Sequence, residues 1–137
     1  MREIAGGCLC GAVRYKSEAE PVLQALCHCQ TCRKNSGSAF SFNVAVPEDS
    51  LVVEGDGLQT YEDHSGASTQ AFMRNFCGKC GSHIFSLGPA YGPLAFIKAG
   101  TLGDASWVAP ELHIWCAEKL PWTMIPEGAT QAPGNPG

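Results

Sequence analysis

Polar and apolar residues alternate along much of this chain with a period of two, the signature of strands that bury one face. Residues 11–16 set Val13 and Tyr15 against Arg14 and Lys16, and residues 39–46 place Phe40, Phe42, Val44 and Val46 on one side. Shorter apolar runs at 22–26, 51–54, 58–61, 70–76, 83–87, 94–99 and 111–116 are separated by polar, glycine or proline breaks and read as further strands. Gly55-Asp56-Gly57 reads as a hairpin turn between two of them, and 62–68 as a polar loop. Residues 30–37 break the alternation: they are polar and fit a helical turn that stops at Gly37. The pattern predicts one mainly-β domain over residues 1–126, without internal repeats. Residues 127–137 contain two Pro-Gly steps and no large apolar side chain, and are expected to be disordered.

Composition sharpens this picture. The chain has 137 residues, enough for one domain with a real core, and its 16 glycines and 9 prolines favour many turns over long helices. A formal net charge of −4 argues against a nucleic-acid partner, which would need a basic face. No run is long enough to span a membrane, and the first seven residues lack the apolar segment of a secretory signal. The expectation is a cytoplasmic protein whose thiols stay reduced and free for metal.

The cysteines carry the chemistry. Seven of the eight fall into groups: Cys8-Leu9-Cys10, Cys27-His28-Cys29-Gln30-Thr31-Cys32 and Cys77-Gly78-Lys79-Cys80. In an extended segment residues i and i+2 point the same way, so Cys8 and Cys10 can reach one ion. Cys77 and Cys80, followed by Gly81, form a CxxC turn with the same capacity. Together these four soft donors suit a closed tetrahedral structural Zn²⁺ that ties the start of the chain to its middle. Disulfides and an iron–sulfur cluster are the alternatives; the missing export signal disfavours the first, and the spacing disfavours the second.

Cys27, Cys29 and Cys32 remain, with no evident fourth partner. Three ligands and an open position are what a catalytic zinc requires; a second closed site completed by Cys116 or a histidine is the competing reading. Arg33 and Lys34 directly behind the cluster offer positive charge to an anionic substrate, or form an ordinary solvated pair. His28, between two ligands that point inward, is expected to face solvent or line a pocket. His83 reads as a hydrogen-bonded structural histidine, and His113 as packing or proton transfer. His64 is assigned nothing. Cys116 and the aromatic stripe Phe40, Phe42, Phe72 and Phe76 read as core. Arg14, Arg74 and Lys98 are cations that an anion pocket could use, but the sequence does not place them.

These motifs resemble those of the glutathione-dependent formaldehyde-activating family. The resemblance runs in order through Gly7-Cys8-Leu9-Cys10-Gly11, Cys27 to Gly37, Phe76-Cys77-Gly78-Lys79-Cys80-Gly81-Ser82, and the late His113-Ile114-Trp115 with Lys119 and Pro121-Trp122. It implies a mainly-β, Mss4-like fold of several small twisted antiparallel sheets stapled by zinc. It also implies two zinc ions per chain: a structural one on Cys8, Cys10, Cys77 and Cys80, and a catalytic one on Cys27, Cys29 and Cys32, the latter open to partial occupancy. The implied activity is that of a carbon–sulfur lyase or synthase joining a glutathione-like thiol to an aldehyde such as formaldehyde. A non-catalytic, zinc-stabilised binding module of the same fold is the alternative; metal storage or redox sensing ranks last.

Overall fold

The structure, a computed structural model, describes residues 3–66, 69–110 and 112–135. Its elements follow the chain as β1 (Ile4–Gly7), β2 (Val13–Ser17), β3 (Leu23–Cys27), α1 (Gln30–Ser36), β4 (Ser41–Pro47), β5 (Val52–Gly55), β6 (Leu58–Asp63), β7 (Phe72–Cys77), β8 (His83–Leu87), β9 (Leu94–Lys98), β10 (Leu112–Ile114) and β11 (Thr130–Gln131). The fold is mainly β, as the alternation predicts. A three-stranded sheet has the order β1-β2-β5, and an eight-stranded sheet the order β11-β10-β3-β4-β9-β8-β7-β6. Pairing is antiparallel except where β10 runs parallel to β3 and to β11.

One cluster of apolar residues joins the two sheets. Ile4, Val13 and Tyr15 from the small sheet pack with Val44, Val46, Ile84, Phe85, Ala95 and Ile97 from the large one. Tyr15 keeps its hydroxyl satisfied inside this core by a 2.7 Å bond with Thr101 Oγ1. The alternation that puts Phe42, Val44 and Val46 on one side of β4 puts Ser41 and Asn43 on the other. The register carries that second face across the sheet: Cys27 lies opposite Ser41, Asn43 opposite Lys98, Phe96 opposite Ser86, and Ser86 opposite Arg74. Ser41, Arg74 and Ser86 are nevertheless buried, so this second face is polar and partly covered.

Three sequence expectations change here. Gly55-Asp56-Gly57 is not a hairpin turn: β5 pairs with β2 and β6 pairs with β7, so the turn is a corner that carries the chain from one sheet to the other. The polar loop begins later than expected, because β6 runs to Asp63, whose buried carboxylate meets Arg74 Nε at 2.8 Å; positions 67 and 68 lie outside the described residues. The tail expected to be disordered supplies β11, which lies on the open edge of β10. Beyond it, the amides of Trp115, Cys116 and Ala117 donate to Gly134, Ala132 and Pro133. Backbone pairing of this kind needs no apolar side chain, which is why composition missed it. Glu111 and the last two tail residues are outside the described range.

Candidate metal centre and the second thiol cluster

β1 ends at Gly7 and β7 ends at Cys77, and each strand runs into a tight turn that carries thiols. In the first turn Gly11 N–H donates to Cys8 O at 3.2 Å, and in the second Gly81 N–H donates to Cys77 O at 2.7 Å. Both glycines sit at positive φ, +81° and +82°, where a side chain would be strained. The two turns bring the sulfurs of Cys8, Cys10, Cys77 and Cys80 within 4.8 Å of one another. Cys10 Sγ is 3.6 Å from Cys8 Sγ and 3.8 Å from Cys77 Sγ. Zn–S bonds of about 2.3 Å in a tetrahedron place sulfurs about 3.8 Å apart, so the donor set fits that ion in chemistry and in spacing.

The surroundings of two of these thiols, Cys8 and Cys80, favour the thiolate that a metal needs. Val13 N–H donates to Cys8 Sγ at 3.3 Å and holds that thiol below its ordinary range. The Ser82 hydroxyl, 3.2 Å from Cys80 Sγ, and its backbone bring Cys80 down to about 5. The Ala12 amide draws Cys10 down as well, but burial and the neighbouring thiols outweigh it and push Cys10 up to about 11. Four thiolates this close repel one another, and a divalent cation removes that repulsion. Ser82 also accepts Leu9 N–H at 3.0 Å, which ties the two turns together independently of any ion.

The second cluster forms where β3 runs into α1. Cys27 Sγ and Cys32 Sγ are 3.7 Å apart. The Cys29 thiol interacts with both and is held well below the usual thiol range by them, helped by the Cys32 and Thr31 backbone. Cys27 is pushed the other way by its two thiol neighbours and by burial. Among the described residues, the four-thiol set is the one group of three or more metal-type donors whose ligand atoms all stand in mutual reach.

The family model for the glutathione-dependent formaldehyde-activating enzyme matches residues 3–118, which include both thiol clusters. The chain belongs to this family. An uncharacterized lyase of Schizosaccharomyces pombe is 33% identical over 85 residues, 62% of this chain and 58% of the relative. A Phaeosphaeria nodorum protein named for the same family is 39% identical over 59 residues, 43% of this chain and 30% of the relative. The chain thus spans less than two thirds of either curated relative. A Rhodobacter sphaeroides crystal structure superposes with a TM-score of 0.58 at 21% identity, over 72% of this chain and 87% of the other, which shows a shared fold.

Within this family member the other candidate residues fall as follows. His28 does not face solvent: it is fully buried, with Nε2 2.9 Å from Nδ1 of the buried His113. Its own amide donates to Ile114 O at 3.0 Å, so β10 locks the residue between Cys27 and Cys29 into the interior. Among the described residues His28 Nδ1 has no hydrogen-bond partner, and Phe40 packs edge-on at 5.7 Å. Burial lowers both imidazoles and keeps the pair neutral. Cys116 is half-buried and donates to His113 O at 3.5 Å. Arg33 reaches Glu118 O at 3.5 Å, while Lys34 is exposed. The Glu118 carboxylate accepts Gln30 N–H at 2.8 Å at the first turn of α1. His83 packs near Phe76, with ring centroids 6.4 Å apart. Lys98, which the sequence left unplaced, and Asn43, which it did not single out, share the sheet face of Cys27, an outcome of non-local register with no local signal.

Proposed function

We propose that this chain is a zinc-dependent carbon–sulfur lyase or synthase that joins a small thiol, glutathione or a close analogue, to an aldehyde such as formaldehyde, and catalyses the reverse. In this reading Cys8, Cys10, Cys77 and Cys80 hold one zinc for architecture, and Cys27, Cys29 and Cys32 hold a second with one position free. The observation that carries it is the separation of seven thiols into a set of four and a set of three. Of the donors that could close the second set, Cys116 Sγ lies against His113 O and His28 Nε2 against His113 Nδ1, while His28 Nδ1 is left without a hydrogen-bond partner among the described residues. Zinc at the three-thiol site would supply a Lewis acid that keeps a bound thiol deprotonated at neutral pH.

The chain's own contribution is placement. The Cys27 and Cys32 thiols and, behind them, the backbone of α1 favour the Cys29 thiolate, and the His28–His113 hydrogen bond ties the β3–α1 junction to β10. Arg33, laid against Glu118 O, adds positive charge at the end of the cluster. In the forward direction the substrate sulfur forms a bond to the aldehyde carbon. The carbonyl π pair moves onto oxygen, which takes a proton from water to give the hemithioacetal. Stopped-flow or exchange NMR of formaldehyde with glutathione tests this directly. The zinc-loaded protein is expected to accelerate adduct formation and Cys29→Ser to abolish the acceleration; a wild-type rate equal to the spontaneous one removes the substrate pair.

A second reading, a zinc-stabilised binding module without catalysis, draws on Leu9, Trp122 and Met124, which are 88%, 69% and 90% exposed. It predicts no acceleration and recovery of one stoichiometric partner protein.

A further inference from the structure

Lys98 closes β9 on the polar face of the large sheet, directly opposite Asn43 of β4. Two residues along β4, Ser41 lies opposite Cys27. The alternation of strand residues puts all four side chains on one face, and hydrogen bonds connect three of them. Lys98 Nζ donates to Asn43 Oδ1 at 2.8 Å, and Asn43 Nδ2 donates to Ser41 Oγ at 3.1 Å. The thiols of Cys32 and Cys27 lie close enough to act on the Lys98 ammonium electrostatically.

What makes this lysine unusual is the company it keeps. A partly buried ammonium is ordinarily matched by a carboxylate. The ion pairs among the described residues are Glu62 with His64, Asp63 with Arg74 and Asp56 with Lys79, and none of them includes Lys98. The nearby charged side chain that acts on it from β7 is Arg74, another cation, already matched by Asp63. Asn43 fixes the direction of the ammonium without neutralising it.

We propose that Lys98, aimed by Asn43, is the residue of the three-thiol site that recognises the carboxylate of the substrate thiol. The proposal rests on the reading that Cys27, Cys29 and Cys32 bind such a thiol; it adds the residue that selects it. A charged hydrogen bond to a preoriented ammonium is stronger than a neutral one and is lost when either partner is removed.

The test is a calorimetric titration of the zinc-loaded protein with 3-mercaptopropionate and with 2-mercaptoethanol, in the absence of aldehyde, with zinc content measured on each variant. Wild type is expected to bind the carboxylate-bearing thiol roughly tenfold or more tightly relative to the neutral one. Lys98→Met should pull that ratio toward one, Lys98→Arg should restore most of it, and Asn43→Ala should lower it by a smaller factor. A wild-type ratio near one, or a ratio that Lys98→Met leaves in place, overturns the proposal. So does loss of zinc by Lys98→Met with the ratio retained, since the ammonium would then only balance the cluster's thiolates. If Lys98→Met does not fold, Asn43→Ala decides on the same ratio. Because no aldehyde is present, the binding ratio is read independently of catalysis: preferential binding here, together with no acceleration in the formaldehyde–glutathione rate assay, would sink the catalytic reading and leave this one standing.

Discussion

Asp63 and Arg74 are a buried pair on neighbouring strands, 2.8 Å apart with about 6% of each side chain exposed. The guanidinium also stacks over Phe72 at 4.7 Å, and its Nη1 has no hydrogen-bond partner among the described residues. Removing one member of such a pair leaves the other charge buried and unmatched, a loss of about 3 kcal/mol or more. Asp63→Asn should therefore lose about that much in urea unfolding at pH 7. Burial pushes the Asp63 carboxyl up, but the Ser65 hydroxyl and amide and the Arg74 guanidinium together hold it below 3.8. A carboxyl depressed by folding stabilises fully above its unfolded value and loses that contribution as pH falls through the folded one. The stability gap between wild type and Asp63→Asn should thus be constant near neutrality and shrink below about pH 4. A gap that persists undiminished in acid would show that lost packing, not the carboxylate charge, is responsible.

At the scale of elements, the corner between β5 and β6 is the most constrained joint. Gly55 has φ +99°, and a Cβ there would lie 1.9 Å from the carbonyl oxygen of Ala12, just ahead of β2. Gly55→Ala carries the strain of a left-handed backbone, on the order of 1–3 kcal/mol, and also forces β2 away from β5. The expected result is a clear fall in the thermal midpoint with zinc still bound; an unchanged midpoint would mean that the corner relaxes freely. β11 offers the opposite case, an element held by one edge. A chain ending at Pro126 should lose hydrogen-exchange protection at Trp115, Cys116 and Ala117, whose amides donate to 132–134, while amides of β7 and β8 stay protected. Loss of protection throughout would instead make the tail part of the cooperative core.

These elements also mark how far the sequence could be read. β2, β4, β7, β8 and β9 announce themselves because their alternation is local. β1 reads Ile-Ala-Gly-Gly and β11 reads Thr-Gln; neither has a pattern, and each exists because a neighbouring strand offers an unpaired edge. The same division runs through the sites. Cys-x-Cys and Cys-x-x-Cys spacing is local, and the four thiols that it singles out do come together. The His28–His113 pair and the Lys98–Asn43–Ser41 chain join residues 85, 55 and 2 positions apart, and the long-range contacts become visible only through register.

For the whole molecule, the decisive question is how unequally the two thiol sets contribute to the fold. Cys8 and Cys10 follow a strand of the small sheet, Cys77 and Cys80 follow a strand of the large one, and 67 positions separate Cys10 from Cys77. A cross-link that closes a loop of that length restrains the unfolded chain by on the order of 4 kcal/mol, if native geometry is unstrained. Cys77 is moreover fully buried in the core cluster. Cys27, Cys29 and Cys32 lie within six residues, so an ion there closes only a short loop and restrains the unfolded chain far less. Cys77→Ser, or treatment with a strong chelator, should abolish cooperative unfolding or lower the urea midpoint severely. Under the proposed two-site reading, Cys29→Ser should lose the second zinc and keep a cooperative transition with a midpoint much nearer wild type. Zinc per chain, measured beside each urea curve, checks that each variant has lost the ion intended. Equal destabilisation by the two serine variants would mean that the second cluster also braces the scaffold, which is the behaviour of a closed structural site rather than of one that holds a place for substrate.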